Sequence, residues 1–145
     1  MCKIIKNIQM FLMMISLVSC ATLPEPEHEV HKFPKNAYIK IPDKEFEKLG
    51  LVRAKVNFPT LHWDAPLQRL CQNYFNKATK QLISLAKKNG GDAVVDVKSV
   101  VFFMDGTSQT YSKAECADDG LEGQNLARGV AVRWKRPENL KKTVK

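Results

Sequence analysis

Apolar and polar residues alternate along the chain between residues 46 and 58. The apolar set of one parity is Phe46, Val52, Ala54, Val56 and Phe58, and the polar set of the other is Glu47, Arg53, Lys55 and Asn57. Successive side chains of a strand point to opposite faces of the sheet. The pattern therefore predicts a strand with one buried face, interrupted at Gly50 and ended by Pro59.

The next stretch, from Leu67 to about Asn89, has a different period. Its apolar residues recur every three or four positions: Leu67, Leu70, Cys71, Tyr74, Phe75, Ala78, Leu82, Leu85 and Ala86. This spacing predicts an amphipathic helix with one buried stripe. Gly90 and Gly91 follow it and supply the left-handed stop that helices favour.

Three further strands are predicted after the helix. The first alternates Ala93, Val95, Val97, Val101 and Phe103 against Asp96 and Lys98, and Asp105-Gly106 then indicates a hairpin. The second, Thr107 to Ala117, has one face of small residues: Ser108, Thr110, Ser112, Ala114 and Cys116. After Asp118-Asp119-Gly120, the last strand places Leu126, Val130, Val132 and Trp134 on one side.

This order of elements predicts the fold class. A strand, a helix and three strands expected to form a meander favour an α+β domain, with one amphipathic helix packed on an antiparallel sheet of about four strands (β-α-β-β-β).

The first residues of the chain carry a different kind of pattern. Lys3 and Lys6 precede the apolar run from Phe11 to Val18, which is too short for a membrane span of about 20 residues. The run ends in Leu17-Val18-Ser19-Cys20 and resembles the signal and lipobox of bacterial lipoproteins. That resemblance implies removal of residues 1–19 and acylation of Cys20, hence a palmitate-bearing anchor in the cell envelope. By the family's sorting rule, Ala21 favours the outer membrane, facing the periplasm, if the host is Gram-negative.

Composition divides the rest of the chain. Residues 20–42 form the lipidated cysteine and a tether, since Pro24, Pro26 and Pro34 interleave with glutamates and apolar residues are sparse. Residues 43–134 form the domain and residues 135–145 a basic tail, which either contacts anionic headgroups or is solvated. Loss of Lys3 and Lys6 lowers the net charge from +8 to +6. For an exported protein this favours anionic lipid or acidic wall polymers, not nucleic acid.

Two cysteines remain for the folded domain, Cys71 on the helix stripe and Cys116 on the small-residue face. A helix can lie close to such a face, and disulfides persist outside the cytoplasm, so we expect a Cys71–Cys116 bond. Two buried free thiols, a metal site and a redox-active disulfide are the alternatives.

The junction Lys88-Asn89-Gly90-Gly91-Asp92-Ala93-Val94-Val95-Asp96-Val97 resembles that of YbjQ-like domains. These are small α+β domains, some of them labelled as heavy-metal binders. The junction also occurs in the Rcs envelope-stress sensor lipoproteins, whose domain is disulfide-braced. A closer resemblance is to exported proteins mislabelled as excinuclease subunits, which pair a helix cysteine with an E-C after the hairpin, matching Cys71 and Glu115-Cys116. None of these families supplies a catalytic residue.

Other candidate chemistry is sparse. His28-x-x-His31 could bind a transition metal, but lies in the proline-bounded tether; Asp118, Asp119 and Glu122 could bind Ca²⁺, or simply form a solvated turn. Asp64 is a candidate helix cap, and His62 a candidate general base without a nucleophile beside it. We therefore predict no catalytic residue, cofactor or metal.

The expected function is that of a non-enzymatic, membrane-anchored envelope lipoprotein that serves as a protein-interaction or envelope-sensing module. Its partners would be the bilayer, through acylated Cys20, and an envelope protein of unknown identity. A metal- or small-ligand-binding module is the alternative that the YbjQ-like resemblance implies.

Overall fold

The computed structural model describes residues 29–59 and 67–136. The described residues do not include the predicted signal peptide, the predicted lipidation site Cys20, His28, His62, Asp64 or residues 137–145 of the basic tail. The elements are β1 (Phe46–Pro59), α1 (Leu67–Lys88), β2 (Ala93–Phe102), β3 (Ser108–Tyr111), β4 (Ala117–Asp118) and β5 (Glu122–Trp134). No helix within the described residues is long and apolar enough to cross a bilayer.

The strands form one antiparallel sheet in the order β1-β5-β2-β3, and the two-residue β4 pairs with the start of β5. Helix α1 packs on one face of this sheet. The predicted α+β class and its single packed helix are therefore confirmed, with five strands in the described chain instead of about four.

The predicted meander is wrong. A meander would put the last strand beside β3, whereas β5 lies between β1 and β2. The residues of β5 explain its central position, because Gly123, Asn125, Ala127, Gly129 and Ala131 give it a narrow buried face on which the helix can lie.

The predicted strand from Thr107 to Ala117 is also wrong in length. Strand β3 stops at Tyr111, and its Ser108 and Thr110 are exposed instead of facing the helix. The chain bends at Ser112 and Lys113 and leaves β2. The departure is held by the Ser99 hydroxyl, which accepts the backbone N–H of Glu115 at 3.1 Å.

Two irregularities change the predicted faces. In β2, Asp96 has a φ of 53° and the pairing with β5 shifts between Val95 and Lys98. This bulge puts Val94 and Val97 in the core under the helix and Ala93 and Val95 in a second cluster on the opposite face, so the uniform alternation predicted for this strand is wrong.

The second irregularity is in β1, where the register shifts between Lys48 and Gly50. Val52, Ala54, Val56 and Phe58 face the helix as predicted, but Phe46 lies in the second cluster with Tyr38 and Trp134. The rings of Phe46 and Tyr38 meet the Trp134 indole edge-on, with their centroids 6.1 and 5.8 Å, respectively, from the indole centroid. We call this sheet face, opposite α1, the outer face.

Helix α1 ends as its glycines predict. Gly90 has a φ of 74°, its N–H bonds to the Lys87 carbonyl at 3.0 Å, and the Gly91 N–H bonds to the Ala86 carbonyl at 2.8 Å. This pair of bonds is a Schellman motif. Asp92 then joins the helix to the sheet, since its carboxylate accepts the backbone N–H of Trp134 at 2.9 Å.

The domain begins before its predicted boundary at residue 43. Residues 36–38 lie beside the first half of β2, where the Val94 N–H bonds to the Asn36 carbonyl and the Tyr38 N–H to the Val94 carbonyl, both at 2.9 Å. Phe33 stacks at a tilt on Phe75, and Ala37 is buried. The tether prediction missed this because the segment has few apolar residues, and backbone bonds attach it instead.

The two ends of the sheet are therefore distinct. One end of the sheet contains the last residues of β1, the first residues of β5 and α1, and the turn between β2 and β3. We call it the hairpin end and define it by Pro59, Phe102–Met104 and Leu121. The core clusters lie wholly within residues 31–134.

Candidate functional site

The disulfide lies near the hairpin end, between the second turn of α1 and the segment that enters β4. The structure joins Cys71 to Cys116 as the pattern predicts, with Cα atoms 5.9 Å apart. Cys71 is buried and Cys116 half-buried. The predicted reason is only partly correct, because the bend after β3, and not a strand face of small residues, brings Cys116 to the helix.

A buried amide accompanies the bridge. The side-chain N–H group of Asn125 donates to the Glu115 carbonyl at 2.8 Å and to the Sγ of Cys116 at 3.7 Å. Asn125 is fully buried, and its Oδ1 has no hydrogen-bond partner in the described chain. The amide thus fixes the cysteine-bearing segment against β5. Sequence pattern did not identify it, because an asparagine between small residues resembles a loop signal.

Two asparagines of α1 hold the N-terminal segment. Asn73 accepts the backbone N–H of His31 at 2.6 Å and donates to the Glu29 carbonyl at 2.8 Å. Asn76 donates to the His31 carbonyl at 2.7 Å. We call Asn73 and Asn76 the asparagine clamp. Both project from the first half of the helix, so the chain reaches the domain nearer to the hairpin end.

The His31 ring is 6 % exposed and is part of this attachment. Its Nδ1 lies 3.2 Å from the Lys80 ammonium and 3.6 Å from a Glu29 carboxylate oxygen. An ammonium beside this nitrogen disfavours a metal cation there. No group of three His, Cys, Asp or Glu side chains able to hold a metal occurs among residues 29–59 and 67–136.

The acidic turn before β5 uses its carboxylates internally. The Asp119 carboxylate accepts the backbone N–H groups of Glu122 and Leu121 at 2.8 and 2.9 Å, and these bonds lower its pKa. Asp118 accepts the Gly120 N–H at 2.8 Å. The arrangement is that of an Asx turn, which explains the acidic residues without a cation.

The hairpin turn between β2 and β3 is built in the same way. The Asp105 carboxylate accepts the Thr107 hydroxyl at 2.7 Å and the Thr107 backbone N–H at 2.9 Å, and these two bonds lower its pKa. Gly106 has a φ of 82°, as the predicted hairpin requires.

The outer face carries a line of cations. Arg53 of β1 lies opposite Arg128 of β5, and Arg128 lies opposite Lys98 of β2. We call Arg53, Arg128 and Lys98 the basic row. Lys98 bonds to Asp96 at 3.0 Å, whereas neither arginine forms an ion pair within the described chain. The row could not be found from sequence, because it depends on strand order and on the bulge at Asp96.

Large apolar side chains are exposed at the hairpin end. Met104 is fully exposed, and Leu121, Phe102 and Phe103 are 85, 58 and 43 % exposed. Phe102 shares the outer face with Lys98, because both have the same parity after the bulge. Such a concentration of apolar surface is typical of contact with another molecule.

Comparison with known proteins adds little. No protein-family model matches the chain, and no curated protein matches it. A crystal structure of a protein of unknown function from Pediococcus pentosaceus, of the DUF74 family, is similar at a TM-score of 0.48 and 11 % identity. The match covers 68 % of this chain and 96 % of that one. A likeness this distant carries no functional information.

Proposed function

We propose that the chain is a membrane-anchored envelope lipoprotein without enzymatic activity, and that its small domain acts as a protein-interaction or envelope-sensing module. The observation that carries the proposal is how short the link between lipobox and domain is. Only residues 21–28 separate Cys20 from Glu29, which the asparagine clamp holds. Extended chain of this length reaches about 30 Å. An acyl anchor at Cys20 would therefore keep the domain next to the bilayer.

The long edge strand of the sheet supports a protein partner. Strand β1 has 14 residues and lies at the end of the strand order. Its backbone edge on the side away from β5 is therefore unpaired within the described chain. A free edge can accept a strand from another polypeptide. The exposed Lys48 of β1 favours an acidic segment in that role.

Two experiments test the two parts of this function. Labelling of cells with a palmitate analogue should mark the full-length protein but not the Cys20→Ser variant, and fractionation should find only the former in the membrane. Photo-cross-linkers placed at Lys48 and Lys55 should capture an envelope protein, whereas a cross-linker at Lys87 on the helix serves as control. An unlabelled protein, or identical products at all three positions, would contradict the proposal.

A further inference from the structure

We propose that the outer face, from the basic row in the middle of the sheet to the exposed side chains of the hairpin end, is a docking surface for an anionic phospholipid bilayer. The surface consists of the basic row, Lys55, and the exposed Phe102 and Met104 beside it. Its partner is the headgroup layer of the membrane, into which the two apolar side chains insert. The proposal rests on the proposed anchoring only for proximity, because the contact itself uses residues of the folded domain.

The basic row places like charges side by side on neighbouring strands. Adjacent strands lie about 4.8 Å apart, so directly opposite cations repel each other and weaken the sheet. Arg53 and Arg128 nevertheless occupy opposite positions with no acidic partner in the described chain, and Lys55 follows Arg53 on the same face of β1. An anionic ligand that spans several strands at once removes this repulsion. A headgroup layer has that extent and that charge.

Apolar side chains adjoin the basic row on the outer face. On either side of the basic row lie apolar cross-strand pairs, Leu51 with Val130 and Leu126 with Val100. Phe102, farther along β2, is 58 % exposed, and Met104 at the hairpin tip is completely exposed. A soluble polyanion would bind through the cations alone and would not need the exposed apolar side chains. Cations with protruding apolar side chains are the combination that binds at the boundary of headgroups and acyl chains.

The N-terminal segment is attached to the half of α1 that lies nearer to the hairpin end. The described residues begin at Glu29, which Asn73 holds on the first half of α1, nearer to the hairpin end than to Gly90. In the sequence, only residues 21–28 separate Glu29 from Cys20, the predicted lipid anchor. The hairpin end is therefore the end that such an anchor brings closest to the membrane.

The test measures partition of the non-acylated protein into lipid vesicles. Residues 20–145 with Cys20→Ser contain both core clusters complete, together with the tether and the basic tail. Vesicles of pure phosphatidylcholine are compared with equimolar phosphatidylcholine and phosphatidylglycerol by co-sedimentation. The charge variant is Arg53→Gln/Arg128→Gln, and Arg69→Gln/Lys87→Gln removes the same charge from the helix layer. Thermal unfolding of each variant establishes that it is folded.

We expect binding to the anionic vesicles only, weakened by added salt. The charge variant should lose about 30-fold in partition coefficient, and the helix-layer control should lose less than about threefold. Restoring charge with Arg53→Lys/Arg128→Lys should recover most of the binding. Phe102→Ser/Met104→Ser should lose about tenfold although its charge is unchanged.

Four results would overturn the proposal. Wild-type protein that does not bind the anionic vesicles refutes it directly. Equal losses in the two charge variants would mean that net charge or the basic tail is responsible. Binding that is insensitive to Phe102→Ser/Met104→Ser, or soluble polyglutamate that competes fully with vesicles, would assign the surface to an acidic polymer. Because acylation is absent from this assay, its outcome is independent of the labelling test at Cys20.

Discussion

The bond between Cys71 and Cys116 should supply a large part of the stability of this domain. It closes a loop of 45 residues. In the chain-entropy model, a loop of that length restricts the unfolded chain by about 4 kcal/mol at room temperature. Small domains are stable by only about 5–15 kcal/mol in total. Replacing both cysteines, as Cys71→Ala/Cys116→Ala, is therefore expected to lower the free energy of unfolding by about 4 kcal/mol, and the melting temperature by about 15–30 °C.

The assay is urea unfolding of residues 20–145 with Cys20→Ser, in which Cys71 and Cys116 are the only cysteines. Oxidised protein should show no titratable thiol after unfolding, and reduction should cost about as much stability as the double substitution. The double variant is its own control, since reductant should not change its midpoint. Two titratable thiols in unreduced protein, or a difference below about 1 kcal/mol, would refute the reasoning.

Three further predictions concern packing, the N-terminal segment and pH. A Cβ on Gly123 would overlap the Phe58 ring, so Gly123→Ala should destabilise the domain by about 1–3 kcal/mol in urea unfolding, and Phe58→Leu should recover part of that loss. Asn76→Ala removes the hydrogen bond that the Asn76 amide donates to the His31 carbonyl and should cost about 0.5–1.5 kcal/mol, with faster hydrogen exchange at residues 31–38 than in wild type. The turn bonds of the Asp119 carboxylate should persist as pH falls below its ordinary pKa of about 3.9 and break at the lower folded pKa; carboxyl NMR titration measures this, and an unshifted midpoint would contradict it.

The parts of the fold that follow local patterns could be predicted. Helix α1 and its glycine stop, the alternation after Gly50 and the hairpin at Asp105-Gly106 depend on periods and turn residues within short windows. The cysteine pairing was also predicted correctly, although the strand expected to carry Cys116 ends at Tyr111 and the following bend brings this cysteine to the helix.

Other features of the fold could not be predicted, because they depend on single residues at which the alternation of side chains between the two sheet faces is reversed. The bulge at Asp96 moves every later side chain of β2 to the other face, and nothing in an alternating sequence marks where the alternation slips. The strand order was not predicted because β5 pairs with β1 and β2, and both of these strands are distant from it along the chain. The basic row follows from both features and is visible only after the sheet is assembled.

The asparagine clamp and the disulfide share the first half of α1, and this has a mechanical consequence. If acyl chains at Cys20 hold the protein, tension from the membrane enters at Glu29 and passes through the asparagine clamp into the first half of α1. Cys71 lies in that half and is covalently tied to Cys116 at the entrance to β4, which pairs with the central strand β5. Without the bridge, the helix would be held there by packing alone. Under such tension the disulfide would reinforce the part of the fold next to the point of attachment, and its removal should release the N-terminal segment before the distal end around Gly90 and Trp134 opens.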